Sequence, residues 1–392
     1  MATTAHQPDI TRYRHRMVRQ LEQDGWLRSP EWIAAFRHVP RDAFVPRFFG
    51  RTDTGRWSAI DTADPGWAEQ SYRIDSLVTQ LDGDDAAWSR ARQAPQHGTP
   101  TSSSSDPGLM ANMLEALDIR AGDSVLEIGT GTGYNAALLS HRLGSRNVTS
   151  IEVDANLAET ARHRLAGLGY HPTVITGDGA NGAGQHAPYD RVLATVAAPT
   201  VSPAWIEQTR PGGLILLNPY RELGGGALLL LTVAEAGRAE GNFLPSYGAF
   251  MPLRTAKPAS TDQERLRVAL HTEDGRHTST DLPADILQHR DAGMLISLLV
   301  PRVGWIEFTP DGGDTQLWLL GDDGSWAMRD QGGVEQYGPR RIWDEVSSAY
   351  RLWQELGRPS RNRFGVTATT EGTQTLWLDR PGRSVSLGQS AG

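Results

Sequence analysis

The chain predicts an α/β protein built on a doubly wound, mostly parallel sheet. Three observations carry that expectation. Strand-like and helix-like segments alternate from Ser124 to Leu217. A glycine-rich turn, Gly129-Thr130-Gly131-Thr132-Gly133, joins one strand to its helix. Acids stand at the carboxyl ends of successive strands, at Glu127, Glu152 and Asp178. Alternating β and α units close into parallel sheets, and such sheets hold ligands at their carboxyl edges.

The elements follow in order. Tyr13, Met17 and Leu21 mark one face of a first helix, and Ser29-Pro30 starts a second over Glu31 to His38. Val39-Pro40-Arg41-Asp42-Ala43-Phe44-Val45-Pro46 reads as a helix end, a turn and a docking aromatic. Gly50 to Gly66 reads as irregular and polar, and Leu77 to Leu81 as a short strand. The Gln-, Pro-, His- and Gly-rich stretch up to Pro100 reads as a mobile loop. Thr101-Ser102-Ser103-Ser104-Ser105-Asp106 has two readings. One is a solvated linker capping the next helix; the other is a row of hydroxyls and N–H groups facing a carboxylate. The residues alone favour the linker. Leu109, Met113 and Leu117 then line a helix.

Val125, Leu126 and Ile128 form a buried-strand pattern before the glycine turn, and Asn135 to Leu139 opens a helix. Strands are expected at Val148–Ile151, Pro172–Thr176, Tyr189–Val196 and Leu214–Leu217, with helices at Leu157–Leu168 and Trp205–Thr209. Past a linker at Thr255–Thr261, Thr315–Leu319 and Gln374–Leu378 look like two similar strands. Between them a helix over Ile342–Leu356 carries Trp343, Val346, Tyr350 and Trp353 on one face. These predict a small α+β module with its tryptophans in the core.

Composition narrows the class. With 392 residues, 39% hydrophobic and 21% charged, the chain has the make-up of a globular protein of two domains. It has no cysteine, which excludes disulfides and thiolate chemistry. A net charge of −8 argues against a nucleic-acid partner. No apolar run is long enough to span a bilayer, and Met1 to Asp9 lack a secretory layout, so the cytoplasm is the expected compartment. Lys257 is the only lysine and nearly every other cation is arginine, which codon bias in a GC-rich genome or fork-shaped recognition of carboxylates would each give; composition does not choose between them.

Glycines suit a turn against which a ligand lies on bare backbone. Gly131-Thr132-Gly133-Tyr134-Asn135-Ala136 also fits the G-x-G-x-x-A form of a dinucleotide loop, so the glycines alone favour neither cofactor. Glu127 tips the reading towards S-adenosyl-L-methionine, whose ammonium an acid at the strand end can meet. Glu152 is placed to accept from ribose hydroxyls, and Asp178 to meet the adenine amino group. No metal is expected.

At this point the sequence resembles the protein-L-isoaspartate O-methyltransferases. The blocks, in order, are Val39-Pro40-Arg41 to Phe44-Val45-Pro46, the serine run before Pro107, Val125 to Tyr134, Ser150-Ile151-Glu152 and Gly177-Asp178-Gly179. Ala187-Pro188-Tyr189-Asp190 and Pro211-Gly212-Gly213 follow, and Phe250-Met251-Pro252-Leu253 looks like the family's closing strand. The resemblance implies a Rossmann-like class I methyltransferase domain over 101–254, a helical and loop segment over 1–100, and a C-terminal α+β accessory domain over 255–392. It implies that Glu127, Gly129, Thr130, Gly131 and Gly133 surround the methionine moiety. Glu152 and Val153 then sit at the ribose, and Asp178 and Gly179 at the adenine. Ser104 and Ser105 would join these contacts, with Ser105 as the active-site serine, which reverses the linker reading there. Asp106 departs from the family, which has Gln or Ala at that position. The extended architecture resembles a branch that matures ribosomally made peptides (lanthipeptides, lasso peptides, graspetides) through an aspartimide. That resemblance implies a ring-constrained peptide partner recognised by the C-terminal domain.

Overall fold

Three sheets organise the chain, whose computed structural model describes residues 10–387 apart from 220, 236, 255–261, 273–274, 284 and 311. The linker expected at Thr255–Thr261 and the reading of Met1–Asp9 lie outside the described residues.

The first sheet is antiparallel. Its strands are Arg47–Arg51 (β1), Trp57–Asp61 (β2), Leu77–Leu81 (β3) and Pro100–Ser104 (β4), in the order β2-β1-β3-β4. Three sequence expectations are corrected here. Gly50 to Gly66 holds a hairpin in which Arg51 pairs with Trp57. The stretch read as a mobile loop contains the helix Ala87–Gln93 and is then tied down. The Gln96 N–H donates to the Trp57 carbonyl at 2.9 Å and the Trp57 N–H to the Gln96 carbonyl at 2.7 Å. The serine run is not a linker but β4, with Ser104 opposite Leu77 and Ser103 opposite Val78. Ladder hydrogen bonds rather than an apolar face hold β4, so periodicity has nothing to report there.

The central sheet begins with Val125–Ile128 (β5), Val148–Glu152 (β6), Thr173–Thr176 (β7), Tyr189–Ala198 (β8) and Thr209–Pro219 (β9). These five are parallel, in the order β9-β8-β5-β6-β7. The winding therefore reverses at β5, which makes its carboxyl end the switch point. Leu229–Ala234 (β10) and Arg238–Phe243 (β11) extend the β9 side antiparallel. The helices Ile10–Gln23, Pro30–His38, Pro107–Ala116 and Tyr134–Leu143 pack one face. Phe44 docks there as expected, its ring 5.8 Å from that of Tyr134.

The C-terminal region is β-rich and joins the rest. Arg276–Thr278 (β12), Val303–Phe308 (β13), Gln316–Gly321 (β14), Trp326–Arg329 (β15) and Val334–Tyr337 (β16) form an antiparallel sheet, β12-β16-β15-β14-β13. Phe364–Thr369 (β17) and Gln374–Leu378 (β18) instead continue the central sheet through β11. The two strands expected to share one module thus fall in different sheets. Leu282, Met294, Leu295, Trp343 and Val346 share one apolar core with Leu126, Val192 and Ile215 of the central sheet. Residue 254 therefore ends no separate hydrophobic unit. The helix Ile342–Glu355 buries Trp343, Val346 and Trp353 as its face predicts. No described helix is long and apolar enough to cross a membrane.

Candidate active site

At the switch point the carboxyl ends of β5 and β6 face β4 across a cavity of about 230 Å³. The turn after β5 bends as only glycine permits. Gly129 has φ +93°, and a Cβ there would stand 2.7 Å from Val196 Cγ1. Gly131 has φ +52° and faces the Ser103 carbonyl, so a ligand in the cavity meets main chain on both walls.

The acids divide the work. Glu127 is fully buried; its Oε1 accepts from Asn135 Nδ2 at 2.7 Å and its Oε2 from Ser150 Oγ at 2.6 Å. Ser150 in turn shares a 2.6 Å hydrogen bond with Thr130 Oγ1. Burial pushes the Glu127 carboxyl up from its usual 4.5 to about 7; the hydrogen bonds from Ser150 and Asn135 oppose this, and the Glu152 charge adds to it. Both Glu127 oxygens are thus engaged by the protein. Glu152 grips the turn: its Oε2 accepts from the Gly131 N–H at 2.9 Å and its Oε1 from the Asp154 N–H at 3.1 Å. Val153 beside it is 39% exposed and offers an apolar surface to the cavity. Asp178 stands apart from the cavity lining, and its Oδ1 accepts from the Ala180 N–H at 2.9 Å to cap a short turn. Its neighbour Gly179 does line the cavity.

On the opposite wall, Ser103, Ser104 and Ser105 all border the cavity. They are held from behind by Arg41, a fully buried guanidinium. It donates to the carbonyls of Ser71, Arg73, Asp75, Ser104 and Ser105 over 2.9–3.3 Å. Its Nε reaches Ser104 Oγ at 3.4 Å, so the Ser104 hydroxyl faces partly backward. Asp106, the departure from the family pattern, is an N-cap: its Oδ1 accepts from the Leu109 N–H at 2.9 Å. Phe250–Leu253 makes one parallel bridge, Pro252 to Ala197 near the carboxyl end of β8, rather than a closing strand. The segment Ala249–Arg254 becomes a cavity wall instead.

Sequence reasoning missed Asn135 and Arg41 as site residues and Tyr134 beyond its place in the turn. Two of these fit a bound donor directly. Among the described residues Asn135 Oδ1 and Tyr134 Oη are buried without a hydrogen-bond partner, and both residues line this cavity. A buried acceptor left unpaired is costly, and an ammonium would satisfy Asn135 Oδ1. The available signal was Asn135 itself, the lone amide before Ala136-Ala137-Leu138-Leu139.

A glycine turn at the switch point, clasped by the acid that ends the next strand, suits a cofactor that carries a ribose; the fold is that of a class I methyltransferase, and S-adenosyl-L-methionine is its cofactor. Residues 84–230 match the model for protein-L-isoaspartate(D-aspartate) O-methyltransferase. A protein-L-isoaspartate O-methyltransferase of Ignicoccus hospitalis is 32% identical over 242 residues, 61% of this chain and 96% of the relative. A second, from Archaeoglobus fulgidus, is 40% identical over 250 residues, 63% of this chain and 94% of its own. A solved structure titled protein-L-isoaspartate O-methyltransferase shares the fold, with a TM-score of 0.53 at 22% identity; it covers 94% of this chain and 100% of its own. The chain belongs to the protein-L-isoaspartate O-methyltransferase family.

Proposed function

We propose that the chain methylates the side-chain carboxylate of an isoaspartyl or aspartyl residue in a polypeptide. The observation that carries this reading is the serine wall of Ser103–Ser105 facing the glycine turn across one cavity. Bound S-adenosyl-L-methionine supplies an electrophilic methyl group on a sulfonium. Glu152 and Val153 would hold its ribose end, and Gly129, Thr130 and Gly131 would lie along its methionine end; Gly133 is outside the cavity lining and packs against Ala161 and Leu165, so its part is to shape the turn. Asn135 is the acceptor for the ammonium, with Glu127 acting through it. Gly179 closes the adenine end, with Asp178 at the rim beside it. The acceptor carboxylate is ionised at neutral pH, with an ordinary pKa of about 4, so no general base is required. Ser105 donates to one carboxylate oxygen and leaves the other to attack; Ser104 supports it. Alignment is the main contribution of the residues.

Two substrate classes share this chemistry. Repair of isoaspartyl sites in damaged proteins is favoured by the fold likeness that spans the C-terminal region as well as the methyltransferase part. Methylation of a ring-constrained, ribosomally made peptide, passing to an aspartimide, is favoured by a second cleft of about 780 Å³. That cleft displays Tyr247 (59% exposed) and Trp305 (38% exposed), and Tyr247 lies two residues from the active-site wall. Mass spectrometry on an isoaspartyl hexapeptide and its aspartyl twin decides between them. Methylation of the isoaspartyl form alone supports repair; no methyl transfer to either, with transfer to a macrocyclic aspartyl peptide, supports peptide maturation. Unchanged turnover in Ser105→Ala would remove the role given to that serine.

A further inference from the structure

Behind the glycine turn lies another cavity, of about 220 Å³, between the first sheet and the helix Ala155–Gly167. Thr132 and Leu157 face both this space and the active site. Its cations are Arg47, from β1, and Arg164, from the helix. The Arg47 guanidinium lies over the Trp88 ring, 5.3 Å from its centroid. Among the described residues neither guanidinium has a hydrogen bond or an ion pair. Trp88 Nε1 is a buried donor with no partner among the described residues, and Trp88 lines the same cavity.

Two acids also border the space; Asp84 is paired with a cation, whereas Asp85 keeps its charge on a neutral amide partner. Asp84 pairs with Arg90 at 2.6 Å and accepts from the Ala86 N–H at 2.8 Å. Asp85 accepts from Asn156 Nδ2 at 2.6 Å. Arg47 is exposed and Arg164 is half-buried; placing an exposed cation beside a half-buried one raises the cost of charging the inner guanidinium, which a bound anion would offset. Burial, and then the Arg47 charge, pull the Arg164 guanidinium down to about 10, the same conflict seen from the titration side.

We propose that the cavity beneath Arg47, Arg164 and Trp88 is a binding site for a small oxyanion, a carboxylate or a phosphate, separate from the methyl-transfer site. The planar forks of two arginines and an indole N–H match the acceptor-only surface of such an anion. Phosphate and carboxylate present that same surface, so the two sources are distinguished by experiment.

The test is calorimetric titration of the full chain with sodium phosphate, sodium succinate and sodium chloride at constant ionic strength. Saturable one-site binding of phosphate or succinate, absent with chloride, is expected. Phosphate alone binding assigns a phosphoryl ligand, and succinate alone a carboxylate. Arg164→Gln and Arg47→Gln should each weaken binding at least 10-fold, and Arg16→Gln on the surface should not. Melting supplies the second readout. Without anion, Arg164→Gln should melt no lower than the parent chain; the bound anion should raise the parent's Tm and leave the variant's unmoved. Heats matched by chloride, equal affinity in both variants, or a lower melting Arg164→Gln without anion would each overturn the proposal.

Discussion

Glu127 shows how a single buried group sets a pH dependence. Its carboxyl titrates near 7 in the folded chain and near 4.5 when unfolded. The folded state therefore holds the proton more tightly. The stability from this group is fully present below about 4.5 and is lost as pH rises through about 7. The shift amounts to on the order of 3 kcal/mol. Without bound donor, the parent chain should lose Tm between pH 5 and 8, and Glu127→Gln should flatten that slope; thermal melts across the range check it. Arg41 makes the complementary case. Arg41→Met strips the donor from five carbonyls, those of Ser104 and Ser105 on the cavity's far wall and those of Ser71, Arg73 and Asp75 behind it. A loss of at least about 3 kcal/mol is expected, read by urea unfolding, with Arg41→Lys recovering only part because an ammonium has three donors. Arg41 was visible in the sequence only as part of a punctuating motif. Its reach to residues 71–75 and 104–105 belongs to tertiary geometry, which no local pattern encodes.

Legibility differed sharply between elements. β5 through β9 were readable because each carries an apolar stretch within the β/α alternation, only Val174 and Ile175 in β7 and residues 214–217 in β9, whose start at Thr209 the sequence reading missed. The helices Pro107–Ala116 and Ile342–Glu355 were readable from their apolar faces. β1, β2 and β4 were not, since Arg47, Arg51, Trp57, Ser102 and Ser104 give no alternation that separates a strand from a loop. Of the three acids at strand ends, Glu127 and Glu152 line the cavity and Asp178 caps a short turn beside it. At the next element, Asp106 ties the end of β4 to the helix Pro107–Ala116. Asp106→Ala should cost about 1 kcal/mol in urea unfolding, the usual worth of an N-cap. Its effect on turnover should appear chiefly in KM, because the helix start carries Ser105 with it.

For the molecule as a whole, the joining of the C-terminal strands to the central sheet decides how it unfolds. β17 supplies five residue pairs to β11, from Arg238 with Thr369 to Asn242 with Gly365. The buried Arg361 side chain donates to the Gly226 carbonyl at 2.8 Å, and its backbone N–H to Asp291 Oδ1 at 3.0 Å. Calorimetry of the full chain should therefore show one cooperative transition rather than two. A chain ending at residue 254 should lose cooperative melting and aggregate, since it exposes both the β11 edge and the apolar face now covered by Leu295 and Trp343. Two independent transitions, or a stable fragment, would contradict the shared core. The sequence suggested a separate module because strands 14 and 18 look alike; which sheet each one joins depends on pairings far apart along the chain.

The seam between β11 and β17 also governs how the chain emerges from the ribosome. Asn242 and the Phe364 carbonyl it reaches are 122 positions apart. At roughly 5–20 residues per second, β11 waits on the order of 6–24 seconds for its outer neighbour to be made. During that interval the nascent sheet presents a raw hydrogen-bonding margin. Arg238, Glu240 and Asn242 along that margin are the kind of side chains that discourage a stray strand from settling there before the native one arrives.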